Sequence, residues 1–216
     1  FNSGEKQMAR FVSRLTVLVS LLLVAACGDP AADKPKAVTG EATQVASPAA
    51  AGEKYLITPE NSKIEFVGSK VTGSHNGSIG NFSGSIDYLG QPEKSRVSIT
   101  IDVESLTADV PKLTEHLKSA DFFDVAKYPK ATFESTAIKA GGEKGATHTI
   151  TGNLQMHGVT KSITFPATIV VNPDAITVDT SFAINRKDFG INYAGAANDL
   201  IRDDVVITLR VRAVKT

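Results

Sequence analysis

The sequence predicts an all-β fold: eight antiparallel strands in a closed barrel, with one short helix after the third strand. From Lys54 onward, apolar and polar residues alternate with period two in eight separate runs, each with one greasy and one wet face. Short, turn-forming connections join most of these runs, and sheets that are apolar on one face only are usually antiparallel. Residues 109–119 are the exception, with apolar side chains four apart as on one face of a helix.

Taken in order, Ile64 and Phe66 alternate with Lys63 and Glu65. Phe82, Gly84, Ile86 and Tyr88 alternate with Ser83, Ser85 and Asp87. Val97, Ile99, Ile101 and Val103 alternate with Ser98, Thr100 and Asp102. The predicted helix follows: Asp109 is its candidate cap, Pro111 suits a first turn, and Leu113 and Leu117 share a face. The fourth run carries Ala131, Phe133 and Ala137, and the fifth Ile150, Gly152, Leu154 and Met156. The sixth carries Ile163, Phe165, Ala167, Ile169 and Val171. Ile176, Val178, Phe182 and Ile184 mark the seventh, and Val205, Ile207, Leu209 and Val211 the eighth. His157-Gly158-Val159-Thr160 and Asn172-Pro173-Asp174 read as hairpin loops. Closing eight such strands removes exposed edges and leaves an interior that side chains fill or that holds one small ligand. A sandwich is the rival architecture, and periodicity alone does not separate the two.

The N-terminal part has a different character. Residues 1–7 read as an upstream extension before Met8. Arg10 and Arg14 then precede the apolar run Leu15–Ala26, which is too short for the ~20 residues of a membrane span but has signal-peptide proportions. Residues 1–26 are therefore expected to be an export signal. The run ends Val24-Ala25-Ala26-Cys27, which resembles a bacterial lipobox, so Cys27 is the expected lipidation site. An ordinary signal peptide with an incidental cysteine is the alternative. Residues 27–52 hold no aromatic residue and are rich in Ala, Pro, Thr, Lys and Asp, which predicts a disordered tether reaching roughly 25–30 Å. The barrel domain is expected over 53–216. These features imply a cell-envelope protein anchored by acyl chains. Gly28 after Cys27 resembles the outer-membrane sorting pattern, with the domain facing the periplasm.

Composition narrows the chemistry. The 216 residues carry 23 basic and 23 acidic side chains, and removal of the leader leaves 20 and 22, so nucleic acid is not an expected partner. Ten of the fourteen aromatic residues are Phe and none is Trp, which implies a core with few polar handles. No nucleophile elbow, phosphate-binding glycine loop or zinc-hydrolase pair is present. His75, His116, His148 and His157 are scattered, and Asp203-Asp204 and Asp121/Asp124 fall at element ends as solvated turn residues do. No enzyme and no metal site are expected. An enzyme built on His116 or His157 with a nearby Asp is the competing class, and a solid-barrel interaction protein is a third.

His116-Leu117-Lys118-Ser119-Ala120-Asp121-Phe122-Phe123-Asp124-Val125-Ala126-Lys127-Tyr128-Pro129-Lys130-Ala131-Thr132-Phe133 closely resembles the signature of the YceI-like family. Ser69–His75 with Phe82–Ile86, Gly152–Lys161 and Asn185–Ile191 resemble its other motifs, so the likeness spans roughly 53–216. The resemblance implies a lipocalin-like barrel with a long apolar interior that holds a polyisoprenoid, a quinone-like lipid or another long-chain lipid as its ligand, without a further cofactor. On that basis Phe66, Phe82, Ile86, Leu117, Phe122, Phe133, Phe165, Phe182 and Phe189 are the expected ligand contacts. Without the resemblance, the same Phe residues equally describe a solid core. Oligomeric state stays open, a dimer included.

Overall fold

The structure is a computed structural model that describes residues 28–45 and 52–216. The predicted leader and Cys27 lie outside the described residues. The strands are β1 (Val38–Glu41), β2 (Glu53–Ile57), β3 (Lys63–Lys70), β4 (Gly73–Ile79), β5 (Phe82–Tyr88), β6 (Arg96–Asp102) and β7 (Leu106–Ala108). After helix α1 (Pro111–Lys118) come β8 (Lys130–Ala140), β9 (His148–Met156), β10 (Val159–Val171) and β11 (Ala175–Asn185). The short β12 (Gly195–Ala196) and β13 (Asp199–Leu200) precede the last strand, β14 (Asp204–Lys215).

These form a closed eight-stranded antiparallel barrel. The ring runs β2-β5-β6-β8-β9-β10-β11-β14 and returns to β2. Three of the eight walls are made of two strands in succession. β2 and β3 share one edge of β14, with Leu56 opposite Val214 and Ile64 opposite Leu209. β4 and β5 likewise form one wall, as do β6 and β7. Residues 58–62, 80–81 and 103–105 interrupt these walls where the period-two pattern lapses.

Because every wall is antiparallel to its neighbours, the connections fall at two ends. The lower end holds 89–95, 141–147, 172–174 and the chain's last residue. The upper end holds the turn at Val71-Thr72, connection 109–129 with α1, the turn at His157-Gly158, and connection 186–203. The long connections are therefore together. The β9–β10 turn is tighter than the sequence suggested. Only His157 (φ 53°) and Gly158 (φ 75°) are unpaired, both in the left-handed region that a two-residue turn requires. A Cβ at Gly158 would also meet the Tyr128 ring at 2.6 Å. Asp109 does not cap α1. Its carboxylate accepts hydrogen bonds from Asn76 N–H (2.9 Å) and sits 2.9 Å from His75 Nδ1, and Val110 takes the cap position.

Residues 28–45 differ most from expectation. They are not a free tether: they form a strap packed on the barrel. β10 and β11 pair with each other only through Thr168–Val171 and Ile176–Asp179. Above that level they part, and the strap fills the gap. β1 pairs antiparallel with Lys161–Thr164 of β10, while Lys36 bridges Ala183 of β11. Ala31 is 2% exposed against Ala183, Val206 and Val67 on the outer face. Lys36–Asp204, Glu41–Lys161 and Arg202–Asp29 ion pairs and two Thr43–Asn153 hydrogen bonds line the rest. Low hydrophobicity argued for disorder. What overrides it is an unpaired strand edge, which satisfies an extended segment through main-chain hydrogen bonds whatever its composition.

Candidate functional site: an apolar cavity in the barrel

The barrel is not filled. A cavity of about 290 Å³ runs through its interior, at the lower edge of the usual range for small-molecule sites. The lower end is closed by packing. Tyr55 is 1% exposed, meets Tyr88 edge-on at 6.1 Å, and donates its hydroxyl to Pro173 O. Aliphatic side chains of Ile150, Val178 and Val211 stand above that plug. The polar residues beside the cavity, Lys70, His75 and Arg186 among them, lie towards the upper end. Side chains of Lys70 and His75 are more than a third exposed, so the cavity approaches solvent there.

Strand parity explains the walls. On β8, β10 and β11, Phe133, Phe165 and Phe182 point inward. Phe165 and Phe182 stack at 4.3 Å with a 12° interplanar angle, and Phe133 leans on Phe165 at 5.9 Å. Phe66 projects over Gly77 on the neighbouring strand, where a Cβ would meet its ring at 2.0 Å. From above, Leu117 of α1 and Phe122 just after it reach down, and Phe122 meets His116 and Tyr193 at 5.0 and 5.2 Å.

Phe66, Ile86, Leu117, Phe122, Phe133, Phe165 and Phe182 thus line one cavity. Phe82 and Phe189 do not. Phe82 has the inward parity but is packed among core side chains away from the void. Phe189 sits on the short 3₁₀ turn Arg186–Phe189, which tucks its ring fully into the core, and its carbonyl oxygen lies 3.0 Å from His157 Nδ1. The expectation missed the aliphatic lining, including Ile99, Leu154, Met156, Ile207 and Leu209, which the same alternation marks as inward.

The upper connections are held by buried polar contacts. Arg186 is 5% exposed. Its guanidinium donates to Ile191 O (2.7 Å) and Arg202 O (3.1 Å), and contacts Ile201 O and Asp203. Burial pushes its pKa down, with Asp203 opposing. The side chain remains a cation, because guanidinium deprotonates far above neutral pH. The β12–β13 hairpin is clasped to β3 by Lys70–Asp199, with Thr72 donating to the same carboxylate. Those bonds, Lys70's first, hold the Asp199 carboxyl below its usual value. A depressed carboxyl contributes at neutral pH and is lost only as pH falls through that lowered value, so the clasp withstands mild acid.

His116 and His157 do not share a site. His116 Nε2 is 2.9 Å from the exposed Asp121, whereas His157 faces Phe189 O and the Tyr128 ring. Neither lines the cavity. Among the described residues no group of three or more His, Cys, Asp or Glu is placed to hold a metal.

The YceI-like domain family model matches residues 55–213. The chain belongs to the YceI-like family. A UPF0312 protein of Pseudomonas putida is 36% identical over 138 residues, covering 61% of this chain and 71% of that protein. Burkholderia cenocepacia BcnA superposes with a TM-score of 0.65 at 25% identity, covering 73% of this chain and 99% of BcnA. A polyisoprenoid binding domain from Saccharophagus degradans superposes at 0.60 with 18% identity, covering 76% and 99%. That likeness establishes a shared fold.

Proposed function

We propose that this protein is an envelope lipid-binding protein that holds or carries a long-chain lipid, polyisoprenoid or quinone-like, in the barrel interior. The cavity carries this reading. It is apolar, closed below and approached from above, so it suits a tail that needs no hydrogen bonds. Each buried CH₂ contributes ~0.8 kcal/mol, or roughly 4 kcal/mol gross per five-carbon unit. The polyisoprenoid binding domain of Saccharophagus degradans, built on the same fold, supports that ligand class. Separation of His116 and His157 from the cavity supports binding rather than catalysis. Extraction of the purified protein with organic solvent, followed by mass spectrometry, is expected to yield an isoprenoid lipid. Protein that purifies empty and fails to bind added polyprenyl lipid overturns the reading.

Anchoring is a second part of the proposal. Acylated Cys27 holds the protein at the outer membrane, facing the periplasm. Cys27→Ser is expected to move the protein from the membrane to the soluble fraction. Unchanged membrane association in cell fractionation counts against acylation.

A further inference from the structure

We infer that the upper end of the barrel docks against the lipid bilayer, with the strap fixing that orientation. The inference rests on the acylation of Cys27 proposed above. A free tether over 27–52 would let the domain stand roughly 25–30 Å from its anchor and turn at will. The strap removes that slack. Ala31 is buried on the outer face against Val67, Ala183 and Val206, and Asp29 pairs with Arg202 of connection 186–203. Only Gly28 separates Asp29 from Cys27, and a residue spans at most ~3.6 Å, so the chain lets the acylated sulfur lie no farther than about 10 Å from the backbone of Asp29. An anchor that short brings the upper connections to the headgroups.

Those connections are suited to the contact. Val71 (57% exposed), Leu200 (50%), Val110 (42%) and Tyr193 (37%) all stand on upper-end connections, and Val71 N–H bonds Leu200 O. Tyr193 packs on His116 and so keeps an apolar ring at the rim. Charges there are balanced: Lys70 pairs with Asp199, Arg186 and Lys187 with Asp203, and His116 lies beside Asp121. The surface fits a bilayer through apolar side chains rather than through attraction to anionic lipid, and the cavity's approach faces the same way.

The test uses the full-length acylated protein in neutral phosphatidylcholine vesicles. With Cys27 acylated, a cysteine introduced singly as Val71→Cys, Leu200→Cys or, at the lower end, Val170→Cys accepts a fluorescent label. Lipids with a nitroxide near the headgroup report proximity by quenching. The labels at 71 and 200 are expected to be quenched several-fold more than the label at 170, and added salt is expected to leave the difference unchanged. Equal quenching, or a reversed order, overturns docking. Protein that does not float with the vesicles overturns docking together with the anchor. Ala31→Asp, which loosens the strap, is expected to retain flotation but lose the difference between ends; persistence of the difference overturns the strap's role. The readout needs no lipid in the cavity. An empty barrel that docks as described therefore tells against the ligand reading alone, and a loaded barrel with no preferred end tells against docking alone.

Discussion

Replacing Phe182 by Ala is expected to destabilise the delipidated protein by about 3–5 kcal/mol, at the upper range for core truncations. The ring is 2% exposed and stacks on Phe165 at 4.3 Å. The ring also lines the cavity, so its removal enlarges a space that is already open. For a domain of this size that loss corresponds to a fall in Tm of roughly 10 °C. Unfolding in urea, followed by circular dichroism because the chain has no Trp, gives the value. Bound lipid must be removed first, because a ligand that binds only the folded state adds its own stabilisation. The same truncation lengthens the cavity, so competition among lipids of graded length is expected to shift towards longer tails. A loss below about 1 kcal/mol would mean that the ring is not packed in this way.

The residues that carry that prediction were legible in the sequence, but the space beside them was not. Alternation placed Phe133, Phe165 and Phe182 on inward faces, gave the eight walls and located the helix after the third. It could not separate a cavity from a solid core, since an inward apolar residue reads the same in both. Phe189 was misplaced for a related reason: a motif segment between strands has no periodicity to orient it, and a 3₁₀ turn buries it. The strap was hidden by composition, yet it left a trace. Val67, Ala183 and Val206 are apolar residues at outward positions, flanked by inward Phe66, Phe182 and Val205. Three such breaks at one end of the barrel mark an outer face that something covers, and Ala31 covers it. Composition describes what a segment does alone. The strand edge exposed where β10 and β11 part determines what it does here.

Arg186→Met is expected to cost about 2–4 kcal/mol and to loosen the upper cover more than the barrel. Met retains an apolar stem of similar length but none of the donors. The carbonyls of Ile191, Ile201 and Arg202 then lose the guanidinium that gathers them, and buried acceptors without partners are costly. Asp203 suffers less, because Lys187 still pairs with it at 3.0 Å. Arg186→Lys is expected to rescue little, since one ammonium cannot reach three carbonyls that a planar fork spans. Hydrogen exchange separates a local effect from a global one. Amides of 190–201 are expected to lose protection well before those of β10 and β11, because beyond Phe189, Ile191 and the half-buried Ile201 few apolar side chains hold connection 186–203, and the Lys70–Asp199 clasp that also ties it is partly exposed. Unchanged protection across 190–201 would show that the apolar contacts and the Lys70–Asp199 clasp suffice and that Arg186 is not the tie. If the cover loosens as expected, lipid release from the variant accelerates while the walls that hold the tail remain intact, which separates retention at the upper end from affinity within the barrel.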